Sequence, residues 1–158
     1  MITVYAVGKI KESFYREAVE EYAGRLQRYD RLRIVEVADE KAPENLHEAD
    51  REKVLACEGE RLLKKIPEKT YLIALAIEGK RMDSIAFSEK IASLRVRGES
   101  EIGFVIGGSL GLSQAVLRRA DEKLSFSDMT FPHPLMRVIL LEQIYRAEKI
   151  LAHEPYHK

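Results

Sequence analysis

Apolar runs of strand type alternate with amphipathic helical stripes along this chain, and that alternation restricts its fold more than any other feature. Ile2–Val7 reads as a first strand. Phe14–Leu26 follows as a helix, with Phe14, Ala18, Tyr22 and Leu26 along one stripe. Leu32–Val37 is a second strand, and Ala49–Ile66 a second helix stopped by Pro67. Tyr71–Ile77 is a continuous apolar run, the pattern of a strand covered on both faces, and Glu78-Gly79-Lys80 reads as the turn that ends it. Asp83 or Ser84 caps a helix to about Val96, with Ile85, Ile91 and Leu94 inward and Gly98 as its stop. Ile102–Ile106, a short helix, a short strand Lys123–Phe126 and a long helix opened by Pro134 complete the chain. Five strands and five helices in this order predict an α/β fold, a mostly parallel sheet with helices on both faces. At 158 residues it is expected to be one domain, 1–158.

Open sheets of this kind bind small molecules at the carboxyl ends of their strands. Two loops stand out there. Gly107-Gly108-Ser109-Leu110-Gly111 follows Ile106, but it has neither dinucleotide-fingerprint nor P-loop spacing. Its glycines either permit a turn of positive φ or let a ligand approach the backbone. Ser127-Asp128-Met129-Thr130-Phe131-Pro132-His133-Pro134 places polar backbone beside apolar side chains, a surface suited to an adenine held by main-chain hydrogen bonds.

Composition narrows the partners. Lys plus Arg is 26 and Asp plus Glu is 26, a balance that argues against a general nucleic-acid binder but not against docking on one RNA site by shape. Acidic residues concentrate between positions 36 and 60. The last helix and tail carry Arg137, Arg146, Lys149, His153, His157 and Lys158. No apolar run reaches the roughly 18 residues of a membrane span, and the first residues lack the pattern of a signal peptide, so a cytoplasmic location is expected. The single Cys57 is expected to be a small packing residue. The four histidines show no metal-ligand spacing, so no metal is expected.

In the last helix Val138, Ile139, Leu140 and Leu141 are consecutive and cover all sides of a turn. Such a helix must be buried on more than one face, which predicts a homodimer through a surface including Leu141 and Tyr145.

Several signatures together resemble the ribosomal RNA large subunit methyltransferase H family of the SPOUT class. They are Ala6-Val7-Gly8-Lys9, Asp39-Glu40-Lys41-Ala42-Pro43, Ile77-Glu78-Gly79-Lys80, Phe104-Val105-Ile106-Gly107-Gly108 and Leu124-Ser125-Phe126-Ser127. They continue with Met129-Thr130-Phe131-Pro132-His133, Met136-Arg137-Val138, Glu142-Gln143-Ile144-Tyr145-Arg146-Ala147 and Pro155-Tyr156-His157-Lys158, and so span the whole chain. The resemblance implies an α/β knot in the C-terminal half, which topology rules alone would argue against. It implies methyl transfer from S-adenosyl-L-methionine to N3 of a pseudouridine in 23S rRNA, by a homodimer acting on the assembled ribosome. It places the donor contacts at Leu75, Gly107 and the run Phe126, Ser127, Asp128, Met129, Thr130 and Phe131.

An imide N–H is a poor nucleophile until its proton leaves, so a base is expected, with His133 and His157 as candidates. His133 otherwise lines the entry to the last helix. Arg137 is read as a contact to phosphate or to the donor carboxylate, or as a surface ion pair with Glu142. Tyr156 is placed to stack on a base, and the resemblance makes the tail part of the active site, across the dimer. Arg118-Arg119 reads as a solvated helix face or a phosphate contact. Two other readings stay open on the same fold: a non-catalytic ribosome-assembly or ribosome-binding protein, and another nucleotide-pocket enzyme.

Overall fold

The computed structural model describes residues 1–158. Its elements are β1 (Ile2–Val7), α1 (Ser13–Leu26), β2 (Leu32–Val37), α2 (Glu48–Lys65), β3 (Tyr71–Arg81), α3 (Ser84–Val96), β4 (Ile102–Ile106), α4 (Gln114–Arg119), β5 (Glu122–Ser125) and α5 (His133–Leu151). The five strands form one sheet in the order β2-β1-β4-β3-β5, and every pairing is parallel.

Side chains alternate across the sheet and build two cores. Ile2 and Val4 of β1, Ile73 of β3, and Ile102 and Phe104 of β4 face α1, α3 and α5. Tyr5 and Val7, Leu72 and Ala74, and Val105 face α2 and α4. Three helices therefore cover one face and two the other. Asp83 caps α3 by accepting a hydrogen bond from the Ala86 amide at 2.7 Å. Gly98 follows that helix with φ +89°, the left-handed conformation a helix stop requires.

The structure corrects several expectations. In α1 the inward side is Tyr15, Val19, Tyr22 and Leu26, while Phe14 is 62% exposed. Ile85 of α3 is half-exposed. Cys57 lies on the solvent side of α2, so it is no packing residue. The buried positions of that helix are Glu58, Gly59 and Leu62. Arg119 is neither solvated nor free for phosphate, since it donates to the carbonyls of Pro67, Glu68 and Thr70 at 3.0–3.1 Å. No helix is long and apolar enough to cross a membrane.

The largest departure is at Gly79. It is not a turn residue but lies within β3, which continues to Arg81. Leu124 of β5 pairs with Leu75 of β3 and again with Lys80, so the two strands meet twice with a break in register between. A Cβ on Gly79 would stand 2.7 Å from backbone atoms of Leu124 and Lys123. The segment 75–80 passes that closely over β5.

The reason offered for a dimer also changes. Leu140, Leu141 and Ile144 are fully buried in the chain's own core and Tyr145 is nearly so, while Val138 and Ile139 are half-buried. α5 packs between α1 and α3, which accounts for most of its apolar surface. Leu141 is therefore not free to meet a partner.

Candidate active site

The ends of β3, β4 and β5 open on a cleft of about 1150 Å³. Leu75 reaches it from β3 and Gly107 from the loop after β4. Phe126, Ser127, Met129, Thr130 and Phe131 reach it from the segment between β5 and α5. Of the residues expected to hold a donor, these seven line one cavity. Asp128 does not, because its side chain turns outward to pair with Arg81. Ser127 organises the segment: its Oγ accepts from the Met129 amide at 3.0 Å, and its carbonyl accepts from the Ser125 hydroxyl at 3.1 Å. Ile106, Leu117, Leu124 and Met136 add apolar wall. This mix of apolar side chains and local backbone polarity suits a nucleoside with an aliphatic tail.

The glycine loop owes its composition to itself as much as to a ligand. Neither Gly107 nor Gly108 has positive φ; Gly111 does, at +89°. A Cβ on Gly107 would stand 2.2 Å from the Gly111 carbonyl oxygen, because the loop closes on itself through a Gly108–Gly111 bridge. Beneath it lies Glu58 of α2, 4% exposed, with Oε1 unpartnered and Oε2 accepting from the Glu40 amide at 3.1 Å. Burial pushes the Glu58 carboxyl up, against the pull of the Glu40 amide.

His133 is the first residue of α5 and lines two cavities. One is the cleft. The other, of about 460 Å³, lies at the ends of β1 and β2 among Gly8, Lys9, Lys11, Glu12, Glu36 and Asp39. His133 is half-buried and its Nδ1 has no partner. Burial lowers its pKa, and the Arg137 guanidinium lowers it further; Asp39 and Glu12 pull upward. The imidazole is thus held in the neutral form that can accept a proton.

Arg137 stands one turn along the helix and is 2% exposed. It donates to Glu36 Oε2 at 2.6 Å and to the Gly8 carbonyl at 3.1 Å, tying α5 to the ends of β2 and β1. This overturns the surface pair with Glu142, which instead accepts from Arg146 at 2.5 Å. It also spends the guanidinium within the protein rather than on phosphate. Arg137→Met is expected to lower stability by about 2–4 kcal/mol, since it strands a partly buried carboxylate and a backbone carbonyl. Urea unfolding checks this, and an unchanged midpoint would show that the pair contributes nothing.

The tail lies elsewhere. Tyr156 packs edge-on against Tyr145 with ring centroids 4.9 Å apart, under the Arg146 guanidinium at 4.8 Å. Its hydroxyl donates to Glu142 at 3.1 Å, and burial, then Glu142, push its pKa up to about 12. His157 Nδ1 is 3.3 Å from Arg146. These contacts begin at Glu142, six residues beyond Met136, the last residue of α5 that lines the cleft, roughly 9 Å along its axis at the usual rise. Within one chain the structure therefore brings His133 and Arg137 together and leaves Tyr156 and His157 away from the cleft. The basic surface expected here is also largely paired, through Arg146–Glu142 and Lys149–Glu154.

Glu12, Phe14 and Tyr15, which the strand-end logic missed, reach the cleft from the start of α1. Phe14 continues the apolar stripe of α1 in the sequence, and only its 62% exposure in the fold separates it from that stripe. No group of three or more His, Cys, Asp or Glu residues is placed to hold a metal ion.

Comparison with known proteins follows the same lines. A family model described as "Predicted SPOUT methyltransferase" matches residues 1–157. Relatives bearing the name ribosomal RNA large subunit methyltransferase H include those of Carboxydothermus hydrogenoformans, 56% identical over 157 residues, and Bifidobacterium adolescentis, 57% identical over 157 residues. In both cases the match covers 99% of this chain and 99% of the relative. Among solved structures, a probable methylase family protein from Haemophilus influenzae superposes with a TM-score of 0.55 at 12% identity, over 99% of this chain and 70% of that one. At that identity the likeness concerns the fold alone.

Proposed function

The chain belongs to the SPOUT methyltransferase family, and on that basis we propose that it methylates N3 of a pseudouridine in 23S rRNA of the assembled ribosome, with S-adenosyl-L-methionine as donor. Methyl transfer to large-subunit rRNA is what the full-length relatives are named for. The observation that carries the reading to this chain is the convergence of Leu75, Gly107 and five residues of Phe126–Phe131 on one cleft, with His133 at its edge.

When bound there, the donor supplies a sulfonium methyl group, and its sulfur keeps the electron pair of the broken S–C bond. The chain's residues do the rest. The cleft backbone and apolar walls orient the donor, so that positioning supplies much of the rate. His133, held neutral, takes the imide proton as the N–C bond forms. Arg137 positions the start of α5 and adds to burial in favouring the neutral imidazole, acting through His133 and not on the substrate.

We read residues 1–158 as one such domain with a trefoil-knotted C-terminal half. The double pairing of Leu124 and the close passage of Gly79 support that threading. We further propose a cytoplasmic homodimer in which Tyr156, His157 and Lys158 serve the cleft of the partner, since one chain's tail stands away from its own cleft. Half-buried Val138 and Ile139 and the exposed cleft-lining residues Phe14, Ile77 and Met129 offer apolar surface for that contact.

The purified chain is expected to bind S-adenosylmethionine by calorimetry and to methylate intact ribosomes. Deleting residues 156–158 is expected to slow ribosome methylation at least about tenfold while donor affinity holds. A chain that binds no donor would sink the enzyme reading in favour of a ribosome-binding protein. A truncated chain as fast as the full one would remove the tail from the site.

A further inference from the structure

We propose that the small pocket at the ends of β1 and β2 receives the acceptor base, and that Asp39 selects pseudouridine over uridine by accepting its second ring N–H. This rests on the rRNA methyltransferase reading above. The two bases carry the same carbonyls and the same N3–H. Pseudouridine is joined to its sugar through carbon, so N1 also keeps a hydrogen; in uridine that nitrogen is spent on the glycosidic bond. A protein that tells them apart through direct contact must offer an acceptor to N1–H. A carboxylate accepts only, and suits that role.

The pocket has the volume of a nucleotide site, about 460 Å³, and shares Glu12, His133 and Pro134 with the donor cleft. A base seated in it lies beside the imidazole and next to the donor. Its charges are free in an unusual way. Lys9, Lys11, Glu12 and Asp39 have no ion-pair partner, whereas Glu36 is paired to Arg137 and Glu40, next to Asp39, to Arg61. The two lysines are placed for the phosphates on either side of an extruded nucleotide, where base contacts carry the specificity.

Asp39 is favoured over Glu12 by how its backbone is held. Arg61 donates to the Ala38 carbonyl at 2.9 Å, and the Glu40 amide donates to buried Glu58 at 3.1 Å. The chain is clamped on both sides of Asp39 while the side chain itself is unpaired. A short carboxylate on a fixed backbone loses little freedom on binding. Glu12 is longer and stands at the start of α1, where it makes no capping bond. Gly8, with φ +83°, keeps open the space that matters: a Cβ there would lie 3.7 Å from His133 Cε1 and 3.8 Å from Asp39 Cβ. The base enters between those two side chains, one edge toward the histidine and the other toward the carboxylate.

The test uses the full chain, S-adenosylmethionine, and two ribosome preparations, one carrying pseudouridine at the target and one carrying uridine there. The wild type is expected to prefer the first. Asp39→Ala is expected to shrink that preference by at least about tenfold, because a site built to bond an N–H loses its discrimination when the acceptor goes. Asp39→Asn, which keeps an acceptor oxygen, is expected to restore part of it. Donor affinity and melting temperature, measured alongside, are expected to hold, since Asp39 does not line the donor cleft. Equal losses on both ribosome preparations, or no loss, would overturn the assignment while leaving the enzyme reading intact. A wild type that methylates both equally would do the same. A wild type that methylates neither would overturn the rRNA reading and this proposal with it.

Discussion

Gly79→Ala is expected to destabilise the chain by about 3 kcal/mol or more, a large share of the total stability of a domain this size. The added methyl would stand 2.7 Å from three backbone atoms of Lys123 and Leu124. Flexible side-chain ends can swing away from such a clash, but strand backbone held in a ladder cannot. The strain falls on the segment that sets Leu75 at the cleft, so donor affinity is expected to fall with stability. Gly24→Ala is the matched control. Gly24 sits in α1 with nothing within 4 Å of a new Cβ, so alanine there is expected to stabilise by up to about 1 kcal/mol. Urea unfolding of both variants decides the matter. A Gly79→Ala midpoint equal to wild type would mean that β5 moves aside and that the crossing is not tight.

Replacing the candidate base has the larger effect on activity. His133→Gln is expected to lower the rate on intact ribosomes by about 10²–10⁴, the range for losing a general base, with donor binding measured separately by calorimetry. The sign of the pH dependence follows from the environment of the ring. Burial and Arg137 lower the His133 pKa. The wild-type rate should therefore stay level through neutral pH and fall only below the ordinary histidine value of about 6.5. Arg137→Met removes one of the two lowering influences, so the acid limb is expected to move upward. A His133→Gln protein as fast as wild type would take the histidine out of the chemistry. An acid limb unmoved in Arg137→Met would take away the arginine's electrostatic role.

Much of the fold was legible in the residues because periodicity is a local property. The order and type of the ten elements follow from which neighbours are apolar, and the caps and stops at Asp83 and Gly98 need no knowledge of the rest of the chain. Boundaries moved by at most one residue, except that β3 ran four residues past the expected Ile77, to Arg81. The errors came where a pattern had two readings. Phe14 continued an apolar stripe yet faces the cleft. Gly79 looked like a turn, because glycine marks a turn and a backbone crossing alike. Cys57 fell on the exposed side of a helix whose buried side carries a glutamate and a glycine.

The cleft proposed for the donor was legible to the extent that it is made of loops following strands. The eight residues named by resemblance reduce to seven lining the cavity, since nothing local shows that Asp128 turns to Arg81, 47 positions away. Arg137 shows the limit most clearly. Its neighbours in the helix suggest a pair with Glu142. Its actual partners are Glu36, 101 residues distant, and the Gly8 carbonyl, 129 residues distant. A buried guanidinium takes the partners that the sheet order places beside it, and β1 lies next to β2 only once the sheet is assembled.

Local pattern therefore settled the class of fold, pointed to the strand ends where the cleft lies and, with the family signatures, to the chemistry to expect. Three things required the folded chain: the second meeting of β3 with β5, the two cavities that share His133, and the separation of the tail from its own cleft. Each depends on contacts between residues far apart in sequence, and such contacts form only when burial of the whole sheet offsets the entropy of closing the long loops between them.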